Sequence, residues 1–451
     1  MRISTSQIFQ NGIDVIQRQQ AEISRTQNQL GTGRRILSPS DDPSGSVQAL
    51  QFESRIEQTK QFQRNGGLAE QRLRLTEVTL ASVGDGLQRI RELSVKANNA
   101  TETDETRRYI AGEMQQVLNS LVDLGNTRDA NGEYLFAGYK SQTQPFVMKN
   151  GEVEYQGDDK ARQVDISPVR KMAVGDPGNQ VFGDAGVSGA LKDGNGTFTT
   201  LPGDGNTGSG VISAGSVVDR GDWQDALAAE VEITPPDPDP PFVESVSYYK
   251  VVFDDGGENY SVQAFNADGE FLGPGDPAGE AILEEADQIA LGLNELPTDV
   301  PFKSGESIAF NGISFDIKGT PAGDDAFTIR PSEPQSLFTG VQKIIDALNS
   351  PVGTSTAPVN NAINCGLSEL DNALGHVLDT RATVGARLNA LENQDNLNRD
   401  QILQLETTIS EIRDLDYAEA ISRFNLQQVG LQAAQQSYTQ VARLTLFDYI
   451  R

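Results

Sequence analysis

His376 and Cys365 are the only histidine and the only cysteine among the 451 residues. One histidine excludes a two-histidine metal site within one chain. His376 reads as a helix residue on the surface of a bundle rather than as the base of a triad. One cysteine excludes an internal disulfide and any multi-cysteine zinc site, and Cys365 reads as a small buried or half-exposed helix residue. Asp41-Asp42 has the composition of a metal or acid–base pair. It follows a turn and precedes Pro43, which is where aspartates cap helices. Asp193-Gly194-Asn195-Gly196, Gly203-Asp204-Gly205-Asn206 and Asp254-Asp255-Gly256-Gly257 resemble calcium loops faintly. They lack the alternating aspartates and the closing glutamate at position twelve, so hairpin turns are expected instead. Neither a Gly-Lys-Ser/Thr phosphate loop nor a His-Glu-x-x-His pair is present. The residue types therefore argue against an enzyme, and no metal or cofactor is expected.

With little chemistry to position, the elements themselves become the subject. Hydrophobic residues make up 37% of the chain and aromatic residues 6%. Long helices with narrow apolar stripes suit so lean a composition. The net charge is −28, which disfavours nucleic acid and anionic membrane as partners. From about 201 to 335 the only basic residues are Arg220, Lys250, Lys303, Lys318 and Arg330. This points to an exposed acidic middle. No apolar run reaches the roughly 20 residues of a membrane span. Met1 to Gln20 lacks the hydrophobic centre of a cleaved signal peptide.

Phe9, Ile13, Ile16, Gln20, Ile23, Gln27 and Leu30 alternate spacings of four and three, a heptad stripe with Gln on its seam. The spacing predicts a helix over 1–33. Helices follow over 44–99 and 104–127. Gly132 to Gly138, Val153 to Gln156 and Gln163 to Ile166 read as strands. From 170 to 334 the chain is rich in Gly, Pro and Asp, with strand-like runs at Tyr248–Phe253, Tyr260–Phe265 and Ser307–Phe310. One helix, 277–293, interrupts them, and Thr234 to Pro241 reads as a loop. Helix returns at 336–349, 361–411 and 416–448. Ile421, Phe424, Leu431, Ala434, Tyr438, Val441 and Leu444 share a face of the last helix, with Gln428 and Gln435 on the same seam.

The expected fold is α+β and multidomain: a long antiparallel helical bundle or coiled coil built from both termini, with a mainly β domain inserted. Three parts are expected. Residues 1–40 and 415–451 form a terminal coiled-coil assembly domain. Residues 41–169 and 335–414 form a helical rod domain with a β-hairpin, and 170–334 an exposed, mainly β insert. Polar seams are weak in isolation. The terminal helices are therefore expected to gain order when many copies pack, through a heterologous contact that forms rings or tubes.

Leu30-Gly31-Thr32-Gly33-Arg34-Arg35-Ile36-Leu37-Ser38-Pro39-Ser40-Asp41-Asp42-Pro43-Ser44-Gly45 resembles the segment after the first helix of the bacterial flagellins and flagellar hook-associated proteins. Arg64-Asn65-Gly66-Gly67-Leu68, Glu77, Ile90-Arg91-Glu92-Leu93 and Ala97-Asn98 follow in that family's order. Ile409 to Ala420 is similar to its C-terminal segment. The resemblance covers about 1–170 and 335–451. Gly132 to Lys140, leading to Thr143-Gln144-Pro145-Phe146, and Leu444 to Ile450 are similar to the members at the hook–filament junction rather than to filament flagellins.

The resemblance implies a structural subunit of the flagellum that acts in motility. It would form a thin ring of like copies, with the first hook-associated protein on one side and flagellin on the other. It also implies a flagellar export chaperone, and an extracellular destination reached through the flagellar type III apparatus without a cleaved signal. The assembly interface would use Phe9, Ile13, Ile16, Ile23, Leu30, Ile421, Phe424, Leu431, Tyr438, Val441 and Leu444. Gly33, Arg35, Asp41, Asp42 and Gly45 would form the inter-domain turn. A filament flagellin, or an adhesin-like module binding sugar or calcium through the β insert, are the alternatives.

Overall fold

The computed structural model describes residues 5–99, 101–149, 151–183, 191–203, 205–233, 242–273, 283–351 and 355–447. The expected loop Thr234 to Pro241 lies outside them. Helices α1 (Thr5–Thr32), α2 (Pro43–Ala97) and α3 (Asp104–Gly125) open the chain. α7 (Leu337–Asn349), α8 (Ala357–Arg413) and α9 (Tyr417–Phe447) close it. Three short helices lie between: α4 (Gly178–Phe182), α5 (Arg220–Ala228) and α6 (Glu285–Ala290). The helical ends and mainly β middle agree with the expected class.

The chain divides into two compact units. One holds 1–67, 165–171 and 391–451; the other holds 68–164 and 172–390. Residues 33–42 separate α1 from α2, and 414–416 separate α8 from α9. α2 passes from one unit to the other at Gly67–Leu68 and α8 at Ala390–Leu391. The first unit is nearly neutral. It contains fifteen basic and sixteen acidic residues, which leaves twenty-seven of the net negative charges on the second.

In the second unit one face each of α2, α3, α7 and α8 encloses a core that includes Leu80, Leu87, Met114, Leu121, Val341, Ile344, Ile363 and Val377. Thr103 caps α3 through a reciprocal pair with Thr106. The hairpin of β1 (Phe146–Lys149) with β2 (Glu152–Tyr155) follows; β3 (Gln163–Ser167) pairs with β4 (Arg170–Ala173), and 165–171 of that pair belong to the first unit.

The expected strand at Gly132–Gly138 is not one. Tyr134, Leu135, Phe136 and Ala137 are all buried, so no face is left for alternation. Their carbonyls are taken by scattered partners instead of a ladder. Arg72 Nη2 donates to Tyr134 O at 2.8 Å, Tyr155 Oη to Phe136 O at 2.9 Å, and Asp158 N to Ala137 O at 3.1 Å. Arg72 is itself held by Asp129 at 2.9 Å and Glu133 at 3.2 Å. Buried carbonyls must be satisfied, and here side chains and loop amides do it.

The β domain begins with β5 (Phe198–Pro202), β6 (Val211–Ile212), β7 (Ser216–Val217), β8 (Glu230–Ile233) and β9 (Phe242–Ser245). It continues through β10 (Tyr248–Phe253), β11 (Asn259–Phe265), β12 (Phe271–Gly273) and β13 (Val300–Pro301). β14 (Ser307–Phe310), β15 (Ile313–Lys318) and β16 (Ala326–Pro331) complete it. The larger sheet runs β12-β11-β10-β16-β5 with β13 beside β11, and the smaller runs β14-β15-β6 with β7 beside β15. β10 alternates half-buried and buried residues, so Tyr249, Val251 and Phe253 face the core.

Among the described residues three short helices, α4, α5 and α6, fall within 170–334, where one was expected. α5 starts at the Asp219 cap and buries Trp223 to 2% exposure between Phe198 and Tyr249. α6 is shorter than 277–293. Gly292, at φ 71, ends the helical path, and 274–282 lie outside the described residues. The three Gly/Asp stretches also resolve individually. Asp254 Oδ1 accepts from Glu258 N in the β10–β11 turn. Asp193 is buried and pairs with Arg330, and Asn206 bonds both backbone groups of Ala326. Asp204 lies outside the described residues. Among the described residues no cluster of His, Cys, Asp and Glu could hold a metal.

Candidate functional site: terminal helix pair and joint

α1 and α9 lie antiparallel against each other. Small residues let them approach closely: a Cβ on Gly12 would come 2.8 Å from Tyr438, and one on Gly430 would come 2.8 Å from Gln19. Thr26 is buried at the seam and its hydroxyl donates to Gln427 Oε1 at 2.9 Å. Ile16, Ile23, Leu30, Phe424, Leu431 and Tyr438 are half-buried along this pair. The side chains of Phe9, Val441 and Leu444 lie outside the described ones.

The polar seam positions differ from those expected. Gln20, Gln27, Gln428 and Gln435 are exposed, and the seam is completed by Gln19, Thr26 and Gln427 instead. A straight helix of 3.6 residues per turn drifts from a strict heptad, so the neighbouring positions rotate into the contact. Ile13 and Ile421 also point away, 42% and 49% exposed, as do Val15, Leu426 and Val429. The pair thus carries apolar side chains that it does not itself cover.

The second feature is the joint where both long helices break. α1 ends as Gly33 takes φ 70, and Gly33 N donates to Gln29 O at 2.8 Å. A Cβ there would meet Tyr417 Oη at 2.8 Å. The chain then lies beside the α8–α9 break. Arg35 N donates to Arg413 O at 2.7 Å, and Leu415 N to Gly33 O at 2.9 Å. The Arg35 guanidinium donates to Ile412 O, satisfying a carbonyl left free at the end of α8. Arg413 reaches Glu53 at 2.6 Å.

Asp41 and Asp42 are the turn and cap that the spacing suggested. Asp41 accepts from Leu37 N at 3.0 Å and Ser38 N at 2.9 Å, and pairs with Arg25 at 2.9 Å. Asp42 accepts from Gly45 N at 2.9 Å and from the Ser44 hydroxyl at 2.8 Å, capping α2. A Cβ on Gly45 would come 2.6 Å from Asp42 and 3.0 Å from Ile36. Arg35 pairs with Asp42 at 3.6 Å, and Gly45 lies against Asp42, while Gly33 faces the α8–α9 break. Sequence reasoning missed their opposite half. Arg413, Leu415, Tyr417 and the α9 cap Asp416 carry no spacing signal linking them to residues 33–45. Asp416 accepts from Ala418 N at 2.9 Å, capping α9.

The backbone amide of Ser38 holds the Asp41 carboxyl below the ordinary value of 3.8, and that of Gly45 does the same for Asp42. Lowered folded values mean that the stability they contribute is full above 3.8 and is lost as pH falls through the folded values. Replacing both by Asn should flatten the acid limb of thermal stability, measured as Tm from about pH 5 to about pH 2. A variant with an unchanged acid limb would remove these groups from the joint's pH response.

The ends of the chain match two family models. The bacterial flagellin N-terminal helical region matches residues 3–141, and the bacterial flagellin C-terminal helical region matches residues 367–450. Flagellar hook-associated protein 3 of Escherichia coli (strain K12) is 25% identical, with 99% of each chain covered. The Salmonella typhimurium protein of that name is 34% identical over 40% of this chain and 57% of its own length. The crystal structure of a flagellar hook-associated protein-3 from Legionella pneumophila superposes with a TM-score of 0.65 at 29% identity, covering 80% of this chain and 98% of that one. The chain thus carries flagellin N- and C-terminal helical regions at its two ends and is similar to flagellar hook-associated protein 3 along nearly its whole length.

Proposed function

We propose that the chain is a non-enzymatic structural subunit of the bacterial flagellum that forms the junction between hook and filament by self-assembly of its terminal helices. The observation that carries this is the match to hook-associated protein 3 over 99% of both chains. Its copies form a ring, with the first hook-associated protein on the hook side and flagellin on the filament side. Residues 1–40 and 415–451 are the assembling part, 41–169 and 335–414 the helical body, and 170–334 the outer domain. The chain reaches the cell exterior through the flagellar type III apparatus, escorted by an export chaperone.

Two physical features support assembly through the ends. Ile13, Val15, Ile421, Leu426 and Val429 offer apolar surface that neighbouring copies would cover. The unit holding these helices is nearly neutral, so dense packing there brings little like charge together, whereas the acidic remainder stays soluble. The interface also includes Ile16, Ile23, Leu30, Phe424, Leu431, Tyr438 and the side chains at Phe9, Val441 and Leu444.

Deleting the gene in its host tests the reading. Cells should lose filaments and shed flagellin monomers into the medium, and the wild-type gene should restore filaments. Cells that still build filaments of normal length through the gap would overturn it.

A further inference from the structure

Helix α8 carries a line of polar side chains turned toward the β domain: Asn361, Cys365, Glu369 and Asn372, spaced four, four and three apart and hence on one face. Asn361 is buried. Its Oδ1 accepts from Ile212 N at 2.8 Å and its Nδ2 donates to Gly210 O at 3.2 Å. One amide thus stands in for a neighbouring strand along the free edge of β6, whose other edge pairs with β15. Asn372 Nδ2 donates to Gly194 O at 2.7 Å, and Gly194 N lies 3.5 Å from Glu369 Oε1. Glu369 also accepts from Gln335 Nε2 at 2.7 Å. Cys365 Sγ sits between Thr199 Oγ1 and Glu369 Oε1, 3.6 Å from each.

The apolar groups are organised differently. The β core, built from residues such as Phe198, Trp223, Tyr249, Phe315 and Ile329, includes no α8 residue among those described. The apolar residues of α8 belong to the separate helical core. Two closed hydrophobic cores therefore meet across a seam of backbone-reading hydrogen bonds. Each such bond contributes little net, yet leaving a buried partner unsatisfied is costly, so a seam of this kind is either fully made or fully open.

We infer that these side chains form a clasp that seats the β domain on α8, and that the clasp opens as a unit while both cores stay folded. Opening exposes the α8 face and hydrates its polar groups, which water satisfies without disturbing Trp223 or the helical core. Cys365 reports the event. In the seated state burial, reinforced by the Glu369 charge, pushes its thiol up to about 12, so little thiolate is available. Released to solvent, the thiol returns to its ordinary range and becomes reactive.

The test uses the full chain. Labelling of Cys365 by a maleimide is timed alongside Trp223 fluorescence and far-ultraviolet circular dichroism, in buffer and through a urea series. In the wild type, labelling should accelerate at lower urea than the Trp223 transition. Asn361→Leu should label about tenfold faster in buffer with both spectra unchanged. Labelling that coincides with the Trp223 transition in the wild type would overturn the inference, as would an Asn361→Leu protein that folds and labels at the wild-type rate. Should the Leu variant fail to fold, the wild-type urea series decides alone.

Discussion

Replacing Ile13 and Ile421 together by Asp should abolish ring assembly and leave the isolated chain as stable as before. Both side chains sit on the α1–α9 pair with 42% and 49% of their surface exposed. Exposed substitutions away from caps and cores change stability by no more than about 0.5 kcal/mol. In an assembly the same positions would be covered. Full burial of an isoleucine is worth about 1.5–3 kcal/mol relative to exposure, and roughly half of that remains available at each of these sites. Asp removes the gain and adds the cost of desolvating a charge. At about 1.4 kcal/mol for each factor of ten, the pair should weaken association by about a hundredfold or more.

Sedimentation velocity gives the association, and thermal melting gives the chain's own stability. The wild type should also gain helicity on assembly, as terminal helices with a partly polar seam become ordered by their neighbours, and the double variant should not. Rings that form at wild-type concentration from the double variant would show that this face is not the interface.

Phe182→Ala should strike the second unit hardest. Its ring is fully buried, edge-on to Phe136 and Phe146 at 5.1 Å each and stacked on Phe338 at 5.5 Å. These four rings join the irregular 134–137 segment, β1, α4 and α7 into one cluster. Removing the ring leaves a cavity among neighbours fixed from three directions, and such losses cost about 3–5 kcal/mol. For a unit of this size each kcal/mol moves Tm by roughly 1–2 °C, so the unfolding midpoint should fall by roughly 4–8 °C. Leu426→Ala, at an exposed site on α9, is the matched control and should stay within about 0.5 kcal/mol. A midpoint lowered by less than about 3 °C in Phe182→Ala would mean that the cluster collapses to fill the space.

Much of this molecule was legible because long helices advertise themselves. The stripes of α1, α2, α8 and α9 repeat over many turns, and Asp42-Pro43 and Thr103 mark helix starts by local chemistry that needs no partner. The strands Tyr248–Phe253 and Ser307–Phe310 were readable for the same reason, since each alternates against one sheet face. What failed was whatever depended on a distant surface. Tyr134-Leu135-Phe136-Ala137 has strand-forming residues, but they are buried on every side and held by Arg72 and Tyr155. Trp223 gives no period of its own, and α5 exists because the β core needed that ring covered.

The sequence by itself determined that two helical ends flank an acidic β insert and that residues 33–45 form a turn between helices. These follow from local periodicity, residue inventory and capping, all of which act over a few residues. The tertiary structure decided which seam positions meet, shifting the polar contacts from Gln20, Gln27 and Gln428 to Gln19, Thr26 and Gln427. It also set Arg35 on the end of α8 and Asn361 on the edge of β6. Those pairings join residues separated by 149 or more positions, and nothing in either local segment specifies its partner. Only packing of the helices and strands brings the free carbonyls and amides to the side chains that satisfy them.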